Sequence, residues 1–133
     1  MEQRNGKVYV SMEAQLLFPS GSAVVDDGGQ AALQGLAGVI AEQSDLEIVV
    51  EGHTDTDKVS SNTIPRDNWE LSVLRATAVV GILLENPGVD PSMLSASGKS
   101  EYHPVDPADK GKNRRIEVVL APNLDSLFEL ISD

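Results

Sequence analysis

The feature that most constrains this chain is the run Ile48-Val49-Val50. A strand with one wet face alternates apolar and polar residues, whereas consecutive apolar residues call for burial on both faces, as in an interior strand. The strand is expected over residues 46–51, and helical patterns flank it on both sides. Upstream, Asp26 or Asp27 can cap a helix running to about Gln43, with Leu33, Leu36, Ala37 and Ile40 in one apolar stripe. Gly35 and Gly38 within it suggest close packing against a sheet. Downstream, Asp67 or Asn68 can cap a second helix to about Glu85, with Pro65 just outside. Leu71, Leu74, Ala78 and Ile82 make one stripe and Val73, Val80 and Leu84 another, so this helix should be buried over much of its girth.

The remaining elements fall into place around these. Residues 7–12 alternate, with Val8, Val10 and Met12 on one face. Residues 94–97 suit a short edge strand, and residues 101–112 a polar loop with one helical turn. Arg114, Ile116, Val118 and Leu120 then alternate with Arg115, Glu117 and Val119 in a last strand. Leu124, Leu127, Phe128 and Ile131 follow Pro122 at helical spacing, an amphipathic tail expected to pack on its own sheet. Two long crossovers require that part of the sheet be parallel. The expected fold is a two-layer α/β sandwich. Its mixed sheet has about four strands, its helices lie on one face, and its order is β-α-β-α-β-β plus a C-terminal helix. With 133 residues the chain reads as one domain, its core about residues 15–121.

The net charge of −11 makes nucleic acid and anionic lipid poor partners for the body of the protein. Four of the ten basic residues nevertheless crowd into residues 110–115, leaving a local cationic patch. There are no cysteines, hence no disulfides and no thiolate metal sites. No run approaches the roughly 20 apolar residues of a membrane span, and residues 1–6 do not resemble a secretion signal. Taken literally, that describes a cytosolic protein.

Several motifs fall short of the chemistry they suggest. Ser20-Gly21-Ser22 lacks the flanking glycines and strand-to-helix context of a nucleophile turn, and Gly98-Lys99-Ser100 has Met93 where a phosphate loop needs glycine. His53-x-Asp55-x-Asp57 has metal-ligand spacing but little support, with His103 the only other histidine. No metal and no cofactor are expected. Asp55, at a strand end, and Arg75, two turns into a helix, are the more promising pair. A guanidinium takes a carboxylate in a forked pair and a carboxylate takes an ammonium, so a pocket holding both would suit a zwitterion.

Gly52-His53-Thr54-Asp55, Asn68-Trp69-Glu70-Leu71-Ser72, Arg75-Ala76, Gly98 and Asn113-Arg114-Arg115-Ile116-Glu117, in that order, resemble the OmpA/MotB C-terminal domain, on its MotB-like side. The resemblance implies non-covalent binding of peptidoglycan through the diaminopimelate residue of the stem peptide. By it Asp55 and Arg75 hold the ligand, helped by Thr54, Asn68, Leu71, Asn113 and Arg114, with Trp69 as packing or a wall of the pocket. It implies no enzymatic activity and a periplasmic domain tied to the outer or inner membrane by a segment outside this chain. The connection over residues 56–66 is longer than is common in the family, which affects the pocket rim. Two other readings stay open: a small hydrolase with a metal at His53, Asp55 and Asp57, and an interaction module, including a homodimer, using the tail or the 57–66 loop.

Overall fold

The computed structural model describes residues 2–59 and 62–122. The expected C-terminal helix, and part of the 56–66 connection, lie outside the described residues.

Five strands form one sheet: β1 (Glu2–Arg4), β2 (Lys7–Glu13), β3 (Leu46–His53), β4 (Leu94–Gly98) and β5 (Arg115–Pro122), in the order β1-β2-β5-β3-β4. β5 runs antiparallel to both β2 and β3, while β3 and β4 pair in parallel. The sheet is therefore mixed, and Ile48-Val49-Val50 lies on an interior strand as expected, with Ile48 and Val50 buried on the helix-covered face and Val49, on the other face, half-buried. Helix α1 (Asp27–Ala41) links β2 to β3, α2 (Asn68–Leu83) links β3 to β4, and the single turn α3 (Lys110–Asn113) precedes β5.

The strand β1 goes beyond the expected four. It forms a hairpin with β2 across Asn5-Gly6, whose φ angles are 53° and 76°. Asn-Gly is the dipeptide best suited to a two-residue turn with both central φ positive. The signal was thus present, but the polar residues 2–4 carry no apolar alternation to mark a strand.

One face of the sheet makes the core. Ile48, Val50, Ile116 and Val118, with Val10 and Met12 beside them, pack against Leu33, Ala37 and Ile40 of α1 and Ala76, Val79 and Leu83 of α2. Both helices thus cover the same face. Asp26 and Asp67 cap them, accepting from the backbone N–H of Gly29 and Glu70 at 2.8 Å each.

Two packing expectations need correction. Gly35 and Gly38 meet nothing within 4 Å where a side chain would begin, since their side of α1 turns away from the sheet. Gly29 is the tightly packed glycine of α1, against Val25 and the backbone of Leu17. Gly35→Ala should therefore raise stability by about 0.5–1 kcal/mol, the usual gain from removing a glycine from a helix interior. Denaturant unfolding would show it as a higher midpoint with unchanged slope. On α2, Val73 and Leu84 are exposed, and the buried face includes Ser72, Arg75 and Ala76. Small residues there let the helix lie directly on the sheet at Gly52 and Gly98.

Candidate functional site

The end of β3, the start of α2, the segment before α1 and the residue after α3 converge on an open cavity of about 470 Å³. Thr54, Asp55, Asn68, Leu71, Arg75 and Arg114, six of the seven residues expected to bind ligand, line it.

Asp55 leaves β3 into the cavity and is 5% exposed. Its Oδ1 accepts from the Asp57 N–H at 2.9 Å. Its Oδ2 lies 3.3 Å from Arg114 Nη1, within ion-pair range, yet receives no aligned hydrogen bond. Arg114 is half exposed and can withdraw; a ligand cation could take its place on Asp55.

Arg75 is equally buried. Its Nε donates to Ser22 O at 2.8 Å, its Nη2 reaches Pro19 O at 3.5 Å, and the guanidinium lies 4.9 Å from the centre of the Phe18 ring. The neighbours that might have neutralised it are engaged elsewhere: Glu70 pairs with Arg66 and Asp67 caps α2. Among the described residues no carboxylate lies within ion-pair distance of Arg75. Burial lowers its pKa, repulsion from Arg114 adds to this, and attraction to Asp55 opposes it. A carboxylate entering between the two guanidiniums would relieve both penalties.

The other residues shape the site. Asn68, the first residue of α2, donates from Nδ2 to Asp55 O at 3.3 Å and Asp57 O at 3.0 Å, pinning the loop after β3 onto the helix. Lys110 pairs with Asp57 at the rim. Thr54 Oγ1 donates to Asp55 O. Asn113 is the exception among the expected ligand residues. Its Oδ1 accepts from the N–H groups of Val105 and Asp106, and its Nδ2 donates to Asp106 O. It braces the 105–106 loop and does not line the cavity. Trp69 is likewise no wall of this cavity; it lies outside, against Tyr102. The lining supplied by Phe18, Ser20 and Gly21 had no sequence signal, because a contact 53 residues away, Arg75 to Ser22, places that segment.

His53, Asp55 and Asp57 do not gather as a metal triad. His53 ends β3 on the sheet's outer face, its Nε2 3.1 Å from Glu51 Oε1 and 3.9 Å from Glu117 Oε2. Among the described residues, Glu51, His53 and Glu117 are the group close enough to share an ion. Arg115 already occupies that cluster: its Nε donates to Glu117 at 3.1 Å and its other nitrogens to Asn113 O and His103 O. The network ties β5 to the 103–113 loop. His53, first through its hydrogen bond, holds the Glu51 carboxyl below its ordinary value of 4.5. A depressed carboxyl pKa adds stability that is complete above the ordinary value and lost as pH falls through the lowered one. Glu51→Gln should accordingly flatten the loss of thermal stability below about pH 4.5 while changing the slope little near pH 7. Melting temperatures from pH 3 to pH 7 would test this, and parallel curves for the two proteins would contradict it.

The OmpA family profile matches residues 17–117, which include every cavity residue named above. The chain belongs to the OmpA family. It is 31% identical over 119 residues to motility protein B of Bacillus subtilis, covering 86% of this chain and 45% of that protein. It is also 31% identical over 120 residues to the probable lipoprotein YiaD of Escherichia coli, covering 86% of this chain and 52% of that protein. The chain spans about half the length of these relatives. Its fold matches the periplasmic domain of Helicobacter pylori MotB with a TM-score of 0.85 at 26% identity, over 98% of this chain and 93% of that one. It matches the cell wall anchor of the T6SS from Pseudomonas aeruginosa with a TM-score of 0.80 at 30% identity, over 91% of this chain and 85% of that one. This OmpA-family chain is MotB-like and is not an enzyme. Among its described residues, no helix is long and apolar enough to cross a membrane.

Proposed function

We propose that this OmpA-family chain binds peptidoglycan non-covalently and anchors a longer envelope protein to the cell wall from the periplasm. The ligand is the diaminopimelate residue of the stem peptide. Its free ammonium goes to Asp55 in place of Arg114, and its carboxylate goes to Arg75. Asn68, Thr54 and Leu71 shape the wall around it, and Arg114, once displaced, remains at the mouth as a second cation.

The observation that carries this reading is the buried Arg75, without a carboxylate partner among the described residues, in the same cavity as a buried Asp55 with an under-used oxygen. Neither charge is efficiently compensated without ligand, and one zwitterionic centre would compensate both. The cell wall anchor among its structural relatives supports the same reading. So does the overall charge of −11, which would not draw the protein to a carboxylate-rich polymer unless a local, shaped site did so.

The test is an NMR titration of the labelled protein with a diaminopimelate-containing stem peptide, repeated with a peptide carrying lysine at that position. Saturable shifts at Thr54, Asp55, Asn68 and Arg75 are expected with the first. With the second, which lacks the distal carboxylate, the affinity should fall at least about tenfold, the loss of one charge-assisted pair. Equal binding of the two peptides would remove diaminopimelate as the ligand, and absence of shifts with both would remove the site.

A further inference from the structure

Beside the cavity lies a second, smaller recess of about 240 Å³ that the stem peptide does not account for. Trp69 and Tyr102 form one side of it, and Lys58, Val59 and Asn68 line both hollows, so the two adjoin. The rings of Trp69 and Tyr102 are 5.6 Å apart between centres and tilted by 34°. They shield each other in part, yet Trp69 is 51% and Tyr102 63% exposed. Trp69 sits on the first turn of α2, directly after the Asn68 that pins the site, while Tyr102 comes from the loop after β4. Two elements thus bring two large aromatic surfaces to the edge of one binding cavity and leave them wet.

We propose that this pair is a platform for one sugar ring of the glycan strand whose peptide fills the Asp55–Arg75 cavity. The proposal rests on the peptide reading above and extends it to the second component of the polymer. A pyranose ring presents a face of C–H groups, weakly positive, to the negative face of an aromatic ring, while its hydroxyls remain free for polar partners at the edge. Here that edge carries Asp67 and Glu101, acceptors suited to hydroxyl and amide N–H donors. The two carboxylates outnumber the one cation of the recess, Lys58, so its charge does not favour a second anionic stretch of peptide, whereas a neutral N-acetylated sugar is indifferent to it. The recess has room for a single ring, and its position next to the cavity matches a ligand in which sugar and peptide are covalently joined.

Trp69 is the only tryptophan in the chain, so intrinsic fluorescence reports on this recess alone. The experiment compares three ligands on the full chain: free stem peptide, the same peptide joined to its disaccharide, and a peptide-free oligosaccharide of the same sugars. In the wild type the disaccharide-linked peptide should bind about fivefold more tightly than the free peptide, and the oligosaccharide alone should shift or quench Trp69 emission. In Tyr102→Ala and Trp69→Ala the advantage of the sugar should vanish while affinity for free peptide stays within about twofold, which also shows that the variants are folded. Equal affinity for the two peptide ligands, or an advantage that survives both substitutions, overturns the platform and leaves the peptide site standing. Quenching by oligosaccharide with no binding of free peptide would keep the platform and discard the peptide site. A Trp69 that stays silent with the oligosaccharide and with the disaccharide-linked peptide would discard the platform alone.

Discussion

Gly52→Ala is expected to destabilise the protein by about 3 kcal/mol or more, with the melting temperature falling by over about 10 °C. A Cβ at this position would stand 2.1 Å from Ser72 O and 2.9 Å from its carbonyl carbon. Both atoms are backbone, so no rotamer change relieves the clash; α2 itself must move off the sheet. Gly52 and Gly98 are partners in the β3–β4 register, and together they make a bare strip beneath Ser72. Gly98→Ala would meet Val73 Cγ2 at 2.3 Å and Val73 N at 2.8 Å, but there a side chain shares the strain. Displacing α2 also exposes the Ala76, Val79 and Leu83 face and moves Asn68 and Arg75 away from the end of β3. Thermal unfolding followed by circular dichroism measures the effect, and a loss under about 1 kcal/mol would mean that the helix does not seat on the strip as described.

The second large effect is on binding. Asp55→Asn should weaken stem-peptide affinity by at least about 30-fold, corresponding to roughly 2 kcal/mol or more for breaking one partner of a buried charge pair. The substitution keeps shape, and the oxygen that accepts from Asp57 N–H can be retained. What disappears is the buried negative charge of the cavity; Asp57, the other carboxylate lining it among the described residues, is exposed and paired with Lys110. The ligand ammonium then enters a hollow lined by two guanidiniums, where the remaining carboxylate, Asp57, is already engaged by Lys110. This variant is a cleaner test than Arg75→Ala. Arg75 also fastens the 19–22 segment through Ser22 O and Pro19 O, so removing it would loosen the cavity wall as well as the charge. Calorimetric titration of wild type and Asp55→Asn, with melting temperatures within about 3 °C of each other, would separate recognition from folding. An affinity loss below about threefold would show that the carboxylate does not receive the ammonium.

Trp69 and Asn113 mark where residue-by-residue reading gave out. Both stand in motif positions; the resemblance assigned Asn113 to the pocket and Trp69 to packing or to the pocket's wall. Asn113 instead satisfies two loop N–H groups, because the residues ahead of β5 have no sheet partner to do so. Trp69 lies on the side of α2 facing the loop after β4, at a rotation about the helix that the cap at Asp67 fixes. Neither the partner loop nor the angle can be inferred from spacing alone. Gly35 and Gly38 fail for a related reason: a glycine in a helix has no side chain to report which way it faces, and theirs faces away from the sheet.

What the sequence by itself determined follows from local physics. Ile48-Val49-Val50 required an interior strand, the Leu33-Leu36-Ala37-Ile40 stripe required a helix over a sheet, and the pairs Asp26-Asp27 and Asp67-Asn68 marked to within one residue where the helices start. Asp55 at a strand end and Arg75 two turns into a helix were visible because each element has a fixed rise and period. Only the tertiary structure decided that β5 would enter between β2 and β3, that Arg75 would find no carboxylate within ion-pair distance among the described residues, and that Arg114 would cover Asp55. Those outcomes depend on contacts between residues tens of positions apart. Such contacts are set by which surfaces can be buried together, and no local pattern encodes them.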